Sequence, residues 1–298
     1  MDAVKTKFSI KDLENLSGVK AHTIRIWEKR YDLLAPERTD TNIRTYDIKS
    51  LQKLLNITLL YKNGYKISKI AEIPDDEIHI LVREIATEKN VHNQALNSFK
   101  LAMLNFDYSL FYNTYNKLLS EKSFREIFYE TFVPLLNELG VLWHTQTINP
   151  AHEHFISSLI KQKIILNTER IQTLEKSNKS KTFVLYLPEN EIHEIGLLYL
   201  NYELQLNGYH TIYLGQTIPI DSLTNIHSFF PELHFISYFT VTPTEDKLED
   251  YLKEFDEKIG FEEHHLWLLG YQAKFVKNTE NYKNLKVYKS IIDLVEEI

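Results

Sequence analysis

The sequence predicts a multidomain α and α/β chain, with an N-terminal winged helix-turn-helix, a four-helix bundle and a C-terminal Rossmann-like parallel sheet. Three observations predict it. A short helix, a turn and a basic second helix run into a β-capable hairpin between Phe8 and Tyr46. From Ala95 to Leu174 the apolar residues recur at helical spacing throughout. After Lys181, short apolar runs alternate with helical stretches, as in a parallel sheet covered on both faces.

In the first segment Ser9 offers an N-cap, Asp12 places a carboxylate three residues later, and Gly18 ends the helix. Ala21 to Tyr31 then sets Ile24 and Trp27 on a buried stripe, with Thr23, Arg25, Lys29 and Arg30 on a basic, hydrogen-bonding face suited to a recognition helix. Trp27 and Tyr31 are amphipathic aromatics that serve core and rim alike, and Leu34 suits the core. The turn-rich stretch from Leu34 to Tyr46 reads as a wing, with Arg38, Arg44 and Tyr46 free to reach phosphates. A helix from Asp47 to Asn63, Gly64 and a short helix from Ile67 to Ala71 complete this part.

Two boundaries follow: the acidic Ile73 to Glu77 and the polar Glu175 to Lys181. They divide the chain into a DNA-binding domain at 1–75, a helical bundle at 76–176 and an α/β domain at 181–298. The bundle helices are Ala95 to Leu104, Tyr108 to Leu119, Phe124 to Leu142 and Ala151 to Leu174. Strands are expected at Thr182 to Leu187, His210 to Leu214, His234 to Tyr238, Leu266 to Leu269 and Lys286 to Lys289, with a helix from Glu194 to Asn207.

Charge separates the parts. Through Pro74 there are 14 Lys and Arg against 9 Asp and Glu, a net of +5, while the whole chain is −7, which leaves −12 for the remainder. DNA affinity should therefore come from one local patch and fall with salt, and dimerisation would double that patch. At 298 residues and 43% hydrophobic, the chain can bury two or three modest cores. With no cysteine there is neither a disulfide nor a thiolate metal site. No apolar run reaches membrane-span length and no signal-peptide pattern opens the chain, so a soluble protein with cytoplasmic localisation is expected.

In a parallel sheet the ligand lies beyond the carboxyl ends of the strands, so the loop from Pro188 to Gly196 is the place to seek chemistry. His193 can offer an imidazole nitrogen to a metal while Glu191 holds the other nitrogen and fixes the tautomer; a helix-capping or surface histidine is the plainer reading of that pair.

Resemblance adds to these readings. Ser9-Ile10, Gly18-Val19, Thr23-Ile24-Arg25, Trp27-Glu28-Lys29-Arg30-Tyr31, Leu34, Pro36, Arg38, Arg44-Thr45-Tyr46 and Gly64-Tyr65 together resemble the MerR family of transcription regulators. That implies promoter DNA as partner, contacted by Thr23, Arg25, Trp27, Lys29, Arg30, Tyr31, Arg38, Arg44 and Tyr46. Glu191-x-His193-x-x-Gly196 resembles the Asp-x-His-x-x-Gly motif of cobalamin-binding domains, Ser237-Tyr238-Phe239 falls at their Ser-x-Leu element and Gly270-Tyr271 at their Gly-Gly. The implied lower cobalt ligand is His193. The chain departs from the pattern with Glu191 for Asp, Phe239 for Leu and Tyr271 for Gly, the last placing a ring where the family threads the cobalamin tail.

Trp143-His144, followed by Glu153-His154, is similar to the capping bundle of light-responsive MerR-type repressors of the CarH and LitR kind. In that resemblance Trp143, Glu153 and His154 cover the upper face of adenosylcobalamin, and His144 is a possible upper cobalt ligand after photolysis. The implied protein is a repressor whose assembly, as a dimer or tetramer, and operator binding follow adenosylcobalamin and light. Two alternatives stay open: a MerR-like regulator that has lost cobalamin and senses another ligand or only dimerises, and a cobalamin-dependent enzyme subunit. Against the last stand the DNA head and the lack of room for a catalytic barrel.

Overall fold

The structure, a computed structural model, describes residues 7–39, 41–84, 88–144, 147–173, 175–227, 229–230, 232–277 and 279–298. Two compact units divide the chain, Met1–Ser158 and Leu159–Ile298.

The first unit opens with α1 (Ile10–Ser17) and α2 (Ala21–Tyr31), a two-stranded hairpin of β1 (Glu37–Arg38) and β2 (Arg44–Thr45), then α3 (Ile48–Lys62) and α4 (Ile67–Ile70). Ser9 and Asp12 form a reciprocal capping box that starts α1, and Gly18 at φ 73° ends it, its N–H donating to the Glu14 carbonyl. The Glu14 carboxylate of α1 accepts the Ala21 N–H at 3.0 Å, so a side chain of the first helix caps the second. Asp47 caps α3 by accepting from the Ser50 N–H at 2.8 Å. Helices, strands and caps of this head fall where the residue pattern sets them.

Next come α5 (Asp75–Glu84), α6 (Glu88–Asn105), α7 (Tyr108–Leu119), and α8 (Phe124–Ile127), which continues through a π-helical turn at Phe128–Phe132 into α9 (Val133–His144). Phe99, Phe111 and Phe132 make the bundle core, with ring centroids 4.9 and 5.6 Å from Phe99. The head packs on these helices: α3 lies against α5 and α6, Lys53 pairs with Asp75 at 2.7 Å, and the Asn15 amide donates to Thr147 Oγ1 at 3.0 Å. Helix α10 (Pro150–Gln172) starts in this unit and runs into the second.

The second unit is a five-stranded parallel sheet of β3 (Asn178–Pro188), β4 (Tyr209–Ile218), β5 (His234–Tyr238), β6 (His265–Leu269) and β7 (Leu285–Val287). Its spatial order is β4-β3-β5-β6-β7, the doubly wound order in which the chain reverses direction between β3 and β5. Helix α11 (Ile195–Leu206) packs on β3, β4 and β5 and on α14 (Ile291–Glu297). Helices α12 (Ile220–His227) and α13 (Leu248–Lys258) pack on each other, and α13 closes an apolar core of Val184, Tyr186, Phe235, Phe239, Leu252 and Phe255. Every expected strand is present, and the first two are longer than the apolar runs that signalled them because their polar ends also pair. No described helix is long and apolar enough to cross a membrane.

Candidate functional site

On α2 the buried stripe is Ile24 and Trp27, and Arg25, Lys29 and Arg30 are exposed, with Thr23 and Tyr31 half-buried. Trp27 is 4% exposed and meets Tyr61 edge-on at 5.3 Å, so its ring belongs to the core rather than to the rim. The Arg30 guanidinium lies 5.8 Å over the Tyr31 ring. In the wing, exposed Arg38 donates to the Asn42 side chain at 2.6 Å, and Ile43 is exposed at the tip.

Arg44 and Tyr46 require a correction. They are not free arms: Arg44 Nε donates to Glu28 Oε2 at 3.1 Å, and the Tyr46 hydroxyl donates to Glu28 Oε1. Tyr46 is 1% exposed, and burial followed by the Glu28 hydrogen bond drives its phenol pKa up. Glu28, on the recognition helix, is thus the post that fixes the wing to α2. In the sequence Glu28 was only a member of the resembled motif; the signal for its role was its place one turn from Arg25, flanking the buried Ile24–Trp27 stripe.

The second site sits at the sheet's reversal point. Asn190 adopts φ 64°, which an asparagine tolerates, and turns the chain so that the Glu191 N–H bonds back to the Pro188 carbonyl at 3.1 Å. Glu191 is fully buried. One carboxylate oxygen accepts the N–H groups of Ile192 and His193 and the His193 ring Nδ1 at 2.5 Å; the other accepts the N–H groups of Thr240, Val241 and Thr242 at 3.2, 2.6 and 3.0 Å. Burial pushes this carboxyl up, but the His193 ring and the Val241, Thr242 and His193 N–H groups outweigh it and hold the pKa down at about 2. The ionised carboxylate fixes Nδ1 of a half-exposed imidazole, leaving Nε2 as the nitrogen a metal would take. Beside it, Lys161 pairs with Glu194 at 3.0 Å, and the Tyr213 hydroxyl donates to the same carboxylate.

Around this pair the other expected residues have plainer duties. Ser237 is buried and its hydroxyl donates to the Tyr186 carbonyl at 2.9 Å. Gly270, at φ 99°, lets the Phe239 backbone approach, since a Cβ there would stand 2.4 Å from the Phe239 carbonyl oxygen. Tyr271 corrects a second expectation: it is 59% exposed and rests on Phe275, so it does not block a buried channel. The ring that does fill a glycine gap is Tyr238, which would lie 2.8 Å from a Cβ on Gly196. The Glu191–His193 pair has the donor chemistry to hold a corrinoid cobalt, and the Tyr238 ring fills the space beside Gly196.

On the helical side, Glu153 accepts from Ser157 at 3.0 Å, and His154 is exposed, 3.7 Å from Glu153. His152 turns inward and stacks on Phe106 at 5.0 Å. The side chains of Trp143 and His144, at the end of α9, lie outside the described residues.

Two segments of the chain match known protein families. Residues 8–77 match the MerR HTH family regulatory protein description, and residues 95–166 match the B12 binding domain description. The HTH-type transcriptional repressor CarH of Myxococcus xanthus is 26% identical over 214 residues, 70% of either chain. Its counterpart CarA from the same organism is 24% identical over 217 residues, 72% of this chain and 70% of that one. The monomethylamine corrinoid protein of Methanosarcina barkeri superposes with a TM-score of 0.58 at 11% identity, over 69% of this chain and 97% of the other, a likeness of fold. Residues 8–77 are thus similar to MerR HTH regulatory proteins and residues 95–166 to B12 binding domains.

Proposed function

We propose that the protein is a transcription repressor that binds promoter DNA as a homo-oligomer and whose assembly is set by adenosylcobalamin and released by light. The observation that carries this reading is the Glu191–His193 pair: a buried carboxylate, held ionised by five backbone N–H groups, orienting an accessible imidazole at the sheet's reversal point. A histidine needed only for capping or solubility has no use for such an anchor. His193 would hold the cobalt, Trp143, Glu153 and His154 would help to bind the cofactor, and His144 would be a candidate cobalt donor in the lit state. When bound, the cofactor supplies a cobalt–carbon bond that light breaks. The two similar Myxococcus xanthus proteins are repressors, which supports that sign of regulation.

The control is a population shift. A ligand moves an equilibrium between assembly states only as far as it binds one better than the other, so a change at the upper face has to alter which assembly is preferred. DNA contact falls to Arg25, Lys29 and Arg30 of α2 and Arg38 of the wing, with Arg44 held in place by Glu28. The test is fluorescence anisotropy on a duplex selected from a random pool: affinity should be high in the dark with adenosylcobalamin and drop on green illumination. Equal affinity with and without the cofactor, in dark and light, would contradict the reading.

A second reading is a MerR-type regulator whose sheet no longer takes cobalamin. The packing of Tyr238 on Gly196 favours it. Such a protein would bind the same duplex without responding to any corrinoid.

A further inference from the structure

The amino-terminal edge of the parallel sheet, at the opposite end of the strands from His193, carries a second cluster. His234 opens β5 and His265 opens β6, and the register sets them side by side. In-register neighbours in a parallel sheet point their side chains to the same face, so the two imidazoles stack, with ring centroids 4.1 Å apart and planes within 16°. Glu232 reaches both: its Oε1 lies 3.1 Å from His265 Nε2 and 4.0 Å from His234 Nε2. One ligand atom from each residue lies within 4.8 Å of the other two.

His234 is the buried member of this cluster. His234 is 3% exposed, and its Nδ1 is buried without a hydrogen-bond partner, in a wall that includes Phe183 and Trp267 at 5.4 and 5.0 Å. Its Nε2, at 4.0 Å from Glu232, is beyond hydrogen-bond reach. Nε2 is the nitrogen that faces Glu232, and an ion bound there would leave the ring's N–H on the buried Nδ1. Burial first, then His265, Lys181 and Lys286, hold His234 down at about 3; burial also lowers His265 against the pull of Glu232.

We infer that Glu232, His234 and His265 form a binding site for a divalent cation of the zinc class. Two imidazole nitrogens and one carboxylate are donors that such an ion accepts at about 2.0–2.2 Å, with a fourth position left for water. Around such an ion, donors stand roughly 3–3.5 Å apart. The Glu232–His265 pair already meets that spacing; to bind one ion, the exposed Glu232 side chain has to move towards His234 and the His265 ring has to turn out of the parallel stack. Lys181 and Lys286 oppose a cation, but Lys286 is paired with Glu297, and both ammonium groups sit over the Trp267 ring, 5.6 and 5.9 Å from its centre. An ion here would tie the start of β5 to that of β6.

The test is calorimetric titration of Zn²⁺ into the tag-free, metal-stripped full chain, alongside thermal melting. The parent should bind one Zn²⁺ at this site and melt higher with it. Glu232→Gln, a surface change that spares the fold, should weaken binding roughly tenfold or more, and His265→Ala should remove it. His193→Ala should leave this binding intact, which separates the site from the corrinoid ligand. No Zn²⁺ binding by the parent, or equal affinity in parent, Glu232→Gln and His265→Ala, would overturn the assignment.

Discussion

At the scale of single residues, Glu191 binds its loop, the Thr240–Thr242 backbone and the His193 ring through one carboxylate. Glutamate replaces the aspartate of the resembled pattern, and its longer arm reaches the backbone N–H groups of Thr240, Val241 and Thr242 while still holding His193. A carboxyl held at about 2, against an ordinary 4.5, favours the folded state above pH 4.5, and that contribution is lost as pH falls from 4.5 towards 2. Its size is on the order of 2–3 kcal/mol. Urea melts of Glu191→Gln should therefore show a smaller loss of stability between pH 5 and 2.5 than the parent shows, and parallel curves would disprove the role. Tyr238→Ala should raise corrinoid affinity by opening the gap at Gly196; an unchanged affinity would mean that the ring moves aside at no cost. Spacing alone favoured a plain capping or surface histidine, and it was the resemblance of Glu191, His193 and Gly196 to a cobalamin-binding motif that pointed to this loop. Tyr238 was not legible in the sequence, because nothing in Ser237-Tyr238-Phe239 fixes which way a ring turns, and the bulk of Tyr271 drew attention to a residue that faces solvent.

At the scale of elements, the head was legible because local signals agree: the Ser9–Asp12 box, Gly18 in the left-handed region and the apolar pair Ile24 and Trp27 each set a boundary or a face. The tie between wing and recognition helix was not legible, since Glu28 and Arg44 are 16 residues apart and their pairing depends on the hairpin's path. Tyr46→Phe should cost about 1–3 kcal/mol by leaving a buried Glu28 oxygen without its donor, measured by denaturant melting. Arg25→Ala and Lys29→Ala should each weaken DNA binding and lower the salt slope by about 1 without changing stability. Equal slopes for parent and variants would remove α2 as the DNA-reading element. The Asn15–Thr147 hydrogen bond joins α1 to the segment that follows Trp143. Asn15→Ala should leave DNA binding without cofactor near parental while reducing the cofactor's effect on it, as read by anisotropy.

For the whole molecule, a head of +5 on a remainder of −12 confines polyanion binding to one end of the chain. The strand order that places Glu191 and His193 at the reversal point arises from the pairing of β3 with both β4 and β5, which alternation of apolar runs predicts as a class but not as an order. Both halves have to act for the protein to be a sensor, and the corrinoid half carries the central claim. It is tested most directly by mixing the purified full chain with adenosylcobalamin in the dark and passing it through a gel-filtration column monitored at protein and corrinoid wavelengths. Co-elution of one corrinoid per chain in the parent, lost in His193→Ala, is the predicted result; a colourless protein peak, or equal colour in parent and variant, would contradict the account.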